Sequence, residues 1–555
     1  MDFVELTSRT WLSPSEQSRT REYWPDTTLD EYFKQALEND PEKVAIIDDR
    51  TELTYGELDE KVERVSAALC RLGVRPGSVV SVQLPNWHEF VILAIATQRV
   101  GAVINPLTSI LRENELRRML IVADPVVVVI PGVIRNRDYP SEYSRLITEL
   151  PTRPFVVVVD DEVDVDNFVS WSSFVSMASD AAALDTRPSD PNSVCELTFS
   201  SGTSGQPKGI MHSANSLASC ALATVKCQDI TAQDRLHISS AFGHQTAYIW
   251  GVWMVFVAGA TLVLQDGWNV KRFFNLVDEK RITMSKGSTT LLVDILDGDN
   301  AADLEKLESL RTYFCGGSPI PTSIATKSIE RDLFRLAPCW GMSENGPVTA
   351  TMPGDSLEKI STSDGRPYPG MEVQVRNASG EVVLEADGDL YTRGPFNFLG
   401  YAQGVEFTRQ FVSDEGWFDT GDRAIESSDG YIRITGRRKD LVVRGGENVP
   451  VVEMEELMSQ HPLVLEVALI GQPDVRLGEI GCAVVVTREN VPITLKELTD
   501  FLDHRSVTRQ FMPERLVQVV ELPKTVTGKV QKGTLREWID ADVASGLGTV
   551  SERRR

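Results

Sequence analysis

The chain has 555 residues, 42% apolar and 25% charged, a mix that supports several buried cores. Lys plus Arg number 56 against 80 Asp plus Glu, a net charge of −24, and such a surface repels phosphate backbones, which excludes nucleic acid as a broad partner. Gly (39) and Pro (28) stand near average usage, so collagen-like and low-complexity chains are excluded as well.

At about 150 residues per domain the length implies two to four domains. The N-terminus, MDFVELTSRTWLSPSEQ, has neither a basic start nor an apolar run, so no signal peptide is expected. Residues 42–50 predict a strand edge. The following helix repeats Leu58, Val62, Val65, Leu69 and Leu72 on one face. SVVSVQLPN predicts a buried strand and EFVILAIATQRVGAV a helix. The β-branched runs 125–132 and 155–161 predict buried parallel strands. Strands alternate with helices to about residue 350, the pattern of an α/β architecture.

Thr246–Leu264 carries no charge over nineteen residues, long enough to span a bilayer. No second segment matches it and no Lys/Arg cluster flanks it. A buried helix to about Ala258, then a buried strand at Ala260–Leu264, is the expected reading, with no integral membrane segment. The seven cysteines (Cys70, Cys195, Cys220, Cys227, Cys315, Cys339, Cys482) form no CxxC pair and predict reduced thiols and a cytoplasmic protein.

Residues 363–436 change character. Turn clusters separate short alternating runs such as MEVQVR, EVVLE and YIRIT, which predict a β-rich section. After GRRKD the α/β pattern returns: VEMEELMSQ and TLKELTDFLDHR as helices, VLEVALIGQP and CAVVVT as strands. A domain boundary is expected near Lys439.

Common catalytic motifs are absent. Gly528-Lys529 is followed by Val530, so there is no Walker A sequence; GMSEN ends in Asn345, so there is no nucleophile elbow; His88-Glu89 lacks the second His of HExxH. The strongest local signal is TFSSGTSGQPKG, Thr198 to Gly209. Glycines let backbone wrap an anion, and successive N–H groups and hydroxyls donate to phosphate oxygens. A Gly/Ser run of this kind is by itself no more than a flexible loop; the order of its residues distinguishes it.

That segment resembles the phosphate-binding loop of the adenylate-forming superfamily, which includes acyl-CoA synthetases, aryl-CoA ligases, luciferases and peptide-synthetase adenylation domains. Further signatures follow in order: WGMSENG (340–346), GWFDTGD (416–422), GRRKD (436–440) with RGGEN (444–448), and LPKTVTGKVQK (522–532). The resemblance covers residues from about 28 to 540. It implies a large N-terminal domain, residues 1–438, of two α/β subdomains plus the β-rich subdomain at about 363–436. A small, mobile α+β C-terminal domain, 439–555, follows, with its hinge at Lys439.

The resemblance also implies site residues. Ser200, Ser201, Gly202, Thr203, Ser204, Gly205 and Lys208 would hold the outer phosphates of ATP. Gly316, Gly317 and Ser318 would form a backbone edge along adenine. Trp340 stands where the family usually has Tyr, and Gly341, Met342 and Ser343 follow it. Glu344 would bind Mg²⁺, a hard cation suited to carboxylate oxygen. Asp422 would accept the ribose hydroxyls and Arg437 would reach the ribose or α-phosphate. Lys529 would stabilise charge as carboxylate and α-phosphate meet. Gly445 and Gly446 would face coenzyme A in a second orientation of the C-terminal domain. Pro450 stands one position earlier than the family pattern, which detaches the contacts past Asn448 from that comparison.

By the same resemblance, Leu236–Leu264 lines the acid pocket, and it contains no Asp, Glu, Lys or Arg. Amino-acid-activating relatives carry an Asp there; here Phe242-Gly243-His244 stands instead. An unpaired ammonium in an apolar site is strongly disfavoured, so the expected substrate is an apolar carboxylic acid: medium-chain, alicyclic or aromatic. Phe242, His244, Tyr248, Trp250, Gly341 and Pro347 are the expected lining, with His244 near the carboxylate. The implied activity is an acid:CoA ligase using ATP, Mg²⁺ and coenzyme A, acting as a monomer or homodimer. The alternatives are an acyl-AMP ligase serving a carrier protein or amine, and a non-catalytic nucleotide-binding relative.

Overall fold

A computed structural model describes residues 11–160, 167–180, 189–200, 207–297, 303–317, 320, 322–438, 442–444, 447–449, 451–474, 478–505, 507, 509–525 and 528–540. It is a mixed α/β protein with a large N-terminal part and a smaller C-terminal one.

Two sheets organise the N-terminal part. In the eight-stranded sheet, Val194–Ser200 lies between Lys208–Ser213 and Val103–Pro106, with Val79–Val82, Val127–Pro131 and Phe155–Val159 beyond. Those inner strands pair in parallel, and their β-branched runs are buried, as strands covered on both faces must be. In the nine-stranded sheet, Arg335–Met342, Thr312–Cys315, Met284–Gly287, Arg235–Ile238 and Thr261–Leu264 lie in that order, parallel throughout. The largest core joins both sheets, with Val80 and Val129 from one, Ile238 and Phe314 from the other, and helices between.

The helices follow from local chemistry. Tyr55–Arg71 starts at a capping box, in which the Thr54 hydroxyl accepts from Glu57 N and the Glu57 carboxylate accepts from Thr54 N. It buries Leu58, Val62, Val65 and Leu69, the predicted face. The uncharged stretch becomes the predicted helix and strand: Gln245–Tyr248, a π-helical turn at Ile249–Trp253, then Met254–Ala258. Gly259 ends the helix at φ 64°, a left-handed conformation that favours glycine, and strand Thr261–Leu264 follows. Among the described residues, no helix is long and apolar enough to cross a membrane.

The β-rich section is a four-stranded sheet: Glu372–Arg376, Asp387–Arg393, Phe418–Glu426 and Ile432–Arg437. One predicted run fails. EVVLE (381–385) forms only an isolated bridge between Arg376 and Val382. Val383 packs against the core and donates its N–H to Val375 O at 2.9 Å, but Val382 and Leu384 face solvent and Glu385 takes φ 54°, so no extended strand continues.

In the C-terminal part, Val464–Asp474 and Gly478–Thr487 form a long antiparallel pair, joined by Val442–Arg444, Glu447–Val449 and the parallel strand Arg515–Gln518. Helices Val451–Ser459 and Leu495–Asp503 appear where the sequence predicts them. Glu456 ties this part to the rest: its carboxylate accepts from Thr322 N at 2.7 Å and pairs with Arg433 at 3.2 Å.

Candidate active site

A narrow cleft opens along strand Arg335–Met342 of the nine-stranded sheet. One wall is main chain. A Cβ on Gly341 would lie 1.9 Å from the carbonyl oxygen of Gly346, and one on Gly316 would lie 2.5 Å from that of Cys339. Only glycine admits that approach. Gly317, at φ 92°, continues the edge. The rest of the lining is side chains, from Thr246, Trp250, Lys286, Trp340, Met342 and Pro347.

Trp340 donates its indole N–H to Asp422 Oδ2 at 2.9 Å. Both are buried, and Asp422 is paired in register with Arg437 across the β-rich sheet. Two signatures 82 residues apart thus meet at the cleft. Thr420 steadies the turn, its hydroxyl accepting from Asp422 N at 3.1 Å.

Glu344 is buried, and Tyr401 donates its hydroxyl to Glu344 Oε1 at 2.9 Å. Burial and the neighbouring carboxylate raise the Tyr401 pKa far above its ordinary value, so it stays a donor. The face of the same ring meets Lys208. The Lys208 ammonium lies 3.8 Å from the Phe411 ring centre, 5.0 Å from Tyr401 and 5.8 Å from Phe407, within cation–π range. Tyr401 therefore sits between the lysine at the end of the phosphate-loop signature and the carboxylate of the next one. Ser200 is the register partner of Lys208. Ser343 is held through its carbonyl, which accepts from His212 Nε2 at 2.8 Å.

His244 begins the helix at Gln245 and is half-buried; loss of hydration lowers its pKa, so the ring is neutral at pH 7. Beside it lies a buried polar pair. Gln245 Nε2 donates to Glu196 Oε2 at 2.9 Å, while Glu196 Oε1 and Gln245 Oε1 have no hydrogen-bond partner among the described residues. Burial pushes the Glu196 pKa up to about 8, so this carboxyl is protonated at neutral pH.

The expected lining divides. Trp250, Gly341 and Pro347 are on the cleft wall, and His244 is not among the residues that line it. Phe242 and Tyr248 stand behind it: Phe242 stacks on Phe90 with ring centres 4.5 Å apart and planes at 8°, and Tyr248 meets the same Phe90 edge-on at 6.3 Å. Lys529 is exposed in a tight turn in which Thr525 N donates to Lys529 O at 2.7 Å and Gly528 takes φ 83°. It is not on the cleft wall, which comes wholly from residues before 348. Ser201, Gly202, Thr203, Ser204, Gly205, Ser318, Lys439, Gly445 and Gly446 lie outside the described residues, as does the Arg437 side chain.

Sequence reasoning missed Tyr401, Phe411, Glu196 and Lys286. The first two follow no motif. Glu196 and Lys286 are the single charged residues of short, largely buried strands, VCELTFS and MSKG, but only the first of these is apolar enough in sequence to make its charge stand out.

A family model described as AMP-binding enzyme matches residues 33–402, and one described as AMP-binding enzyme C-terminal domain matches residues 453–529. A medium-chain fatty-acid–CoA ligase of Escherichia coli is 30% identical over 546 residues, covering 96% of this chain and 95% of that protein. A salicyl-AMP ligase/salicyl-S-ArCP synthetase of Mycobacterium tuberculosis is 32% identical over 526 residues, covering 93% and 91%. In fold, the chain is similar to the anthranilate CoA ligase AuaEII solved with anthranoyl-AMP, with a TM-score of 0.84 and 24% identity over 94% of this chain and 98% of that one.

Proposed function

Because this chain belongs to the AMP-binding enzyme family of adenylate-forming ligases, we propose that it couples a carboxylic acid to coenzyme A through an acyl-AMP. The reading rests chiefly on one observation: Trp340 and Asp422, joined at 2.9 Å, stand beside a main-chain edge that no side chain could occupy.

The residues fit a nucleotide. The indole face of Trp340 suits a purine, the Asp422 carboxylate suits ribose hydroxyls, and Gly316 and Gly341 let a flat ring lie against the backbone. Lys208 supplies positive charge from the strand that follows the phosphate loop. The Glu344 carboxylate suits a magnesium ion, which would neutralise charge on the phosphates. Tyr401 keeps that carboxylate pointed.

In the first half-reaction the acid's oxygen attacks the α-phosphorus of ATP and pyrophosphate leaves. The site holds the two anions in line, and a neutral His244 adds no charge of its own beside the acid. Lys529 would approach from the C-terminal domain, residues 439–555, turning about Lys439. In the second half-reaction a thiol displaces AMP. The coenzyme A acceptor is supported by the CoA ligase relative. A carrier-protein acceptor is the second reading, favoured by the 32% identity to the salicyl-AMP ligase.

The test is pyrophosphate release across aliphatic, alicyclic, aromatic and amino acids, with and without coenzyme A. Turnover with an acid lacking an ammonium, and acyl-CoA seen by mass spectrometry, is the expected result. Pyrophosphate with accumulating acyl-AMP and no thioester would move the chain to the carrier-protein reading. ATP binding without pyrophosphate from any acid would overturn both.

A further inference from the structure

Lys286 is a cation where an apolar pocket is expected. It lies on strand Met284–Gly287, in register with Ile238 on one side and Phe314 on the other. Paired residues of parallel strands share a sheet face, so its side chain rises between an isoleucine and a phenylalanine. It is only 5% exposed. Its hydrogen bonds are weak ones, Nζ to the carbonyl oxygen of Gly287 at 3.4 Å and a contact with the Cys339 thiol, and among the described residues it forms no ion pair.

Its other neighbours do not compensate the charge. The nearby thiols of Cys315 and Cys339 are pushed up by burial, Cys315 to about 12, and stay neutral. An ammonium has three donors to satisfy, and a buried charge without partners is costly.

Lys286 and Trp250 line not only the cleft but also a second, nearly filled gap with room for about one water, so the two share a wall. The second cavity is otherwise mostly apolar, with Leu236, Leu262, Met284 and Phe314. Its remaining basic group, His237, carries no charge: burial holds its pKa at about 4. His237 Nδ1 lies 2.9 Å from the Ser285 hydroxyl and Nε2 lies 3.2 Å from Gln265 Oε1. An amide oxygen only accepts, so Nε2 carries the proton and Nδ1 accepts from Ser285.

We propose that Lys286 is a specificity-determining residue that pairs with an anionic group at the far end of the acid. The substrate is then a dicarboxylic acid with an apolar body, one carboxylate activated at the α-phosphorus of ATP and the other held by Lys286. This rests on the acid-activating reading above and narrows its substrate class. The apolar walls still select the body between the two ends.

The test compares matched pairs: a straight-chain acid with its ω-carboxy counterpart, benzoate with benzene-1,4-dicarboxylate, and cyclohexanecarboxylate with its 1,4-dicarboxylate. The wild-type protein is expected to release pyrophosphate with at least about tenfold higher kcat/KM for the diacid in at least one pair. Lys286→Met, of similar length but uncharged, is expected to reverse that preference by about tenfold or more, read as the diacid-to-monoacid ratio of kcat/KM at saturating ATP. Equal or better use of the monoacid in every pair by the wild type overturns the proposal and leaves the ligase reading standing; this arm needs no variant. An unchanged preference in an ATP-binding Lys286→Met protein overturns it as well. No pyrophosphate from any acid overturns the ligase reading itself, and the proposal with it.

Discussion

Trp340 and Asp422 are one hydrogen-bonded unit, the indole N–H donating to the carboxylate at 2.9 Å. In the proposed function one partner meets the base and the other the ribose. Each therefore orients the other before the nucleotide arrives, and loss of either costs more than its own contact.

Asp422→Asn and Trp340→Phe form the first prediction. A hydrogen bond to a charged group contributes about 1.5–3 kcal/mol, so Asp422→Asn should raise the KM for ATP by about tenfold or more. Trp340→Phe keeps an aromatic face but removes the donor, and should have a smaller effect. The double variant should fall short of the sum by about 0.5 kcal/mol or more, since contacting residues couple. Steady-state pyrophosphate release against ATP concentration measures all three. Strict additivity would show that the bond has no part in nucleotide binding.

Lys529→Ala separates the half-reactions. Its turn is exposed and belongs to the C-terminal part, away from the cleft wall. Acyl-AMP formation should drop at least about a hundredfold, while thioester formation from supplied acyl-AMP and coenzyme A stays within about threefold. Single-turnover assays of each step would test it, and equal loss of both would contradict an alternating C-terminal domain.

Glu196→Gln tests the buried carboxyl through stability. The folded-state pKa of Glu196 is raised from an ordinary 4.5 to about 8. Between those values the unfolded chain has lost this proton and the folded chain keeps it. Its contribution is fully present below about pH 4.5 and is lost as pH rises through about 8. At 1.36 kcal/mol per unit the window spans several kcal/mol. Gln cannot ionise and keeps an acceptor for Gln245 Nε2. The variant should therefore lose less stability than the wild type between pH 5 and 9 in urea titrations. Parallel curves would show that Glu196 is ionised in the folded protein.

Much of the architecture was legible because its signals are local. The run VVVIP at 127–131 can bury both faces only inside a parallel sheet, and the face of Leu58, Val62, Val65 and Leu69 needs only a helical period. EVVLE carries the same local signal, but only Val383 meets the core and the backbone turns at Glu385, which composition cannot reveal. In the candidate site, the motifs located Trp340, Glu344 and Asp422. Tyr401 could not be found that way, since its contact with Glu344 joins positions 57 residues apart. Lys286 was missed because the pocket was read from a single segment, Leu236–Leu264, whereas a parallel sheet brings side chains from neighbouring strands to the same face.

The two walls of the cleft differ in how freely they can change. Gly316 and Gly341 meet backbone oxygens so closely that any added side chain forces the main chain apart. Thr246, Trp250 and Lys286 line the same cleft as side chains, from a helix, the π-helical turn after it and a strand. Drift in the sequence can thus alter which acid is accepted while leaving nucleotide handling untouched. A descendant could acquire a new substrate by exchanging two or three side chains, without ever passing through a form that no longer engages ATP.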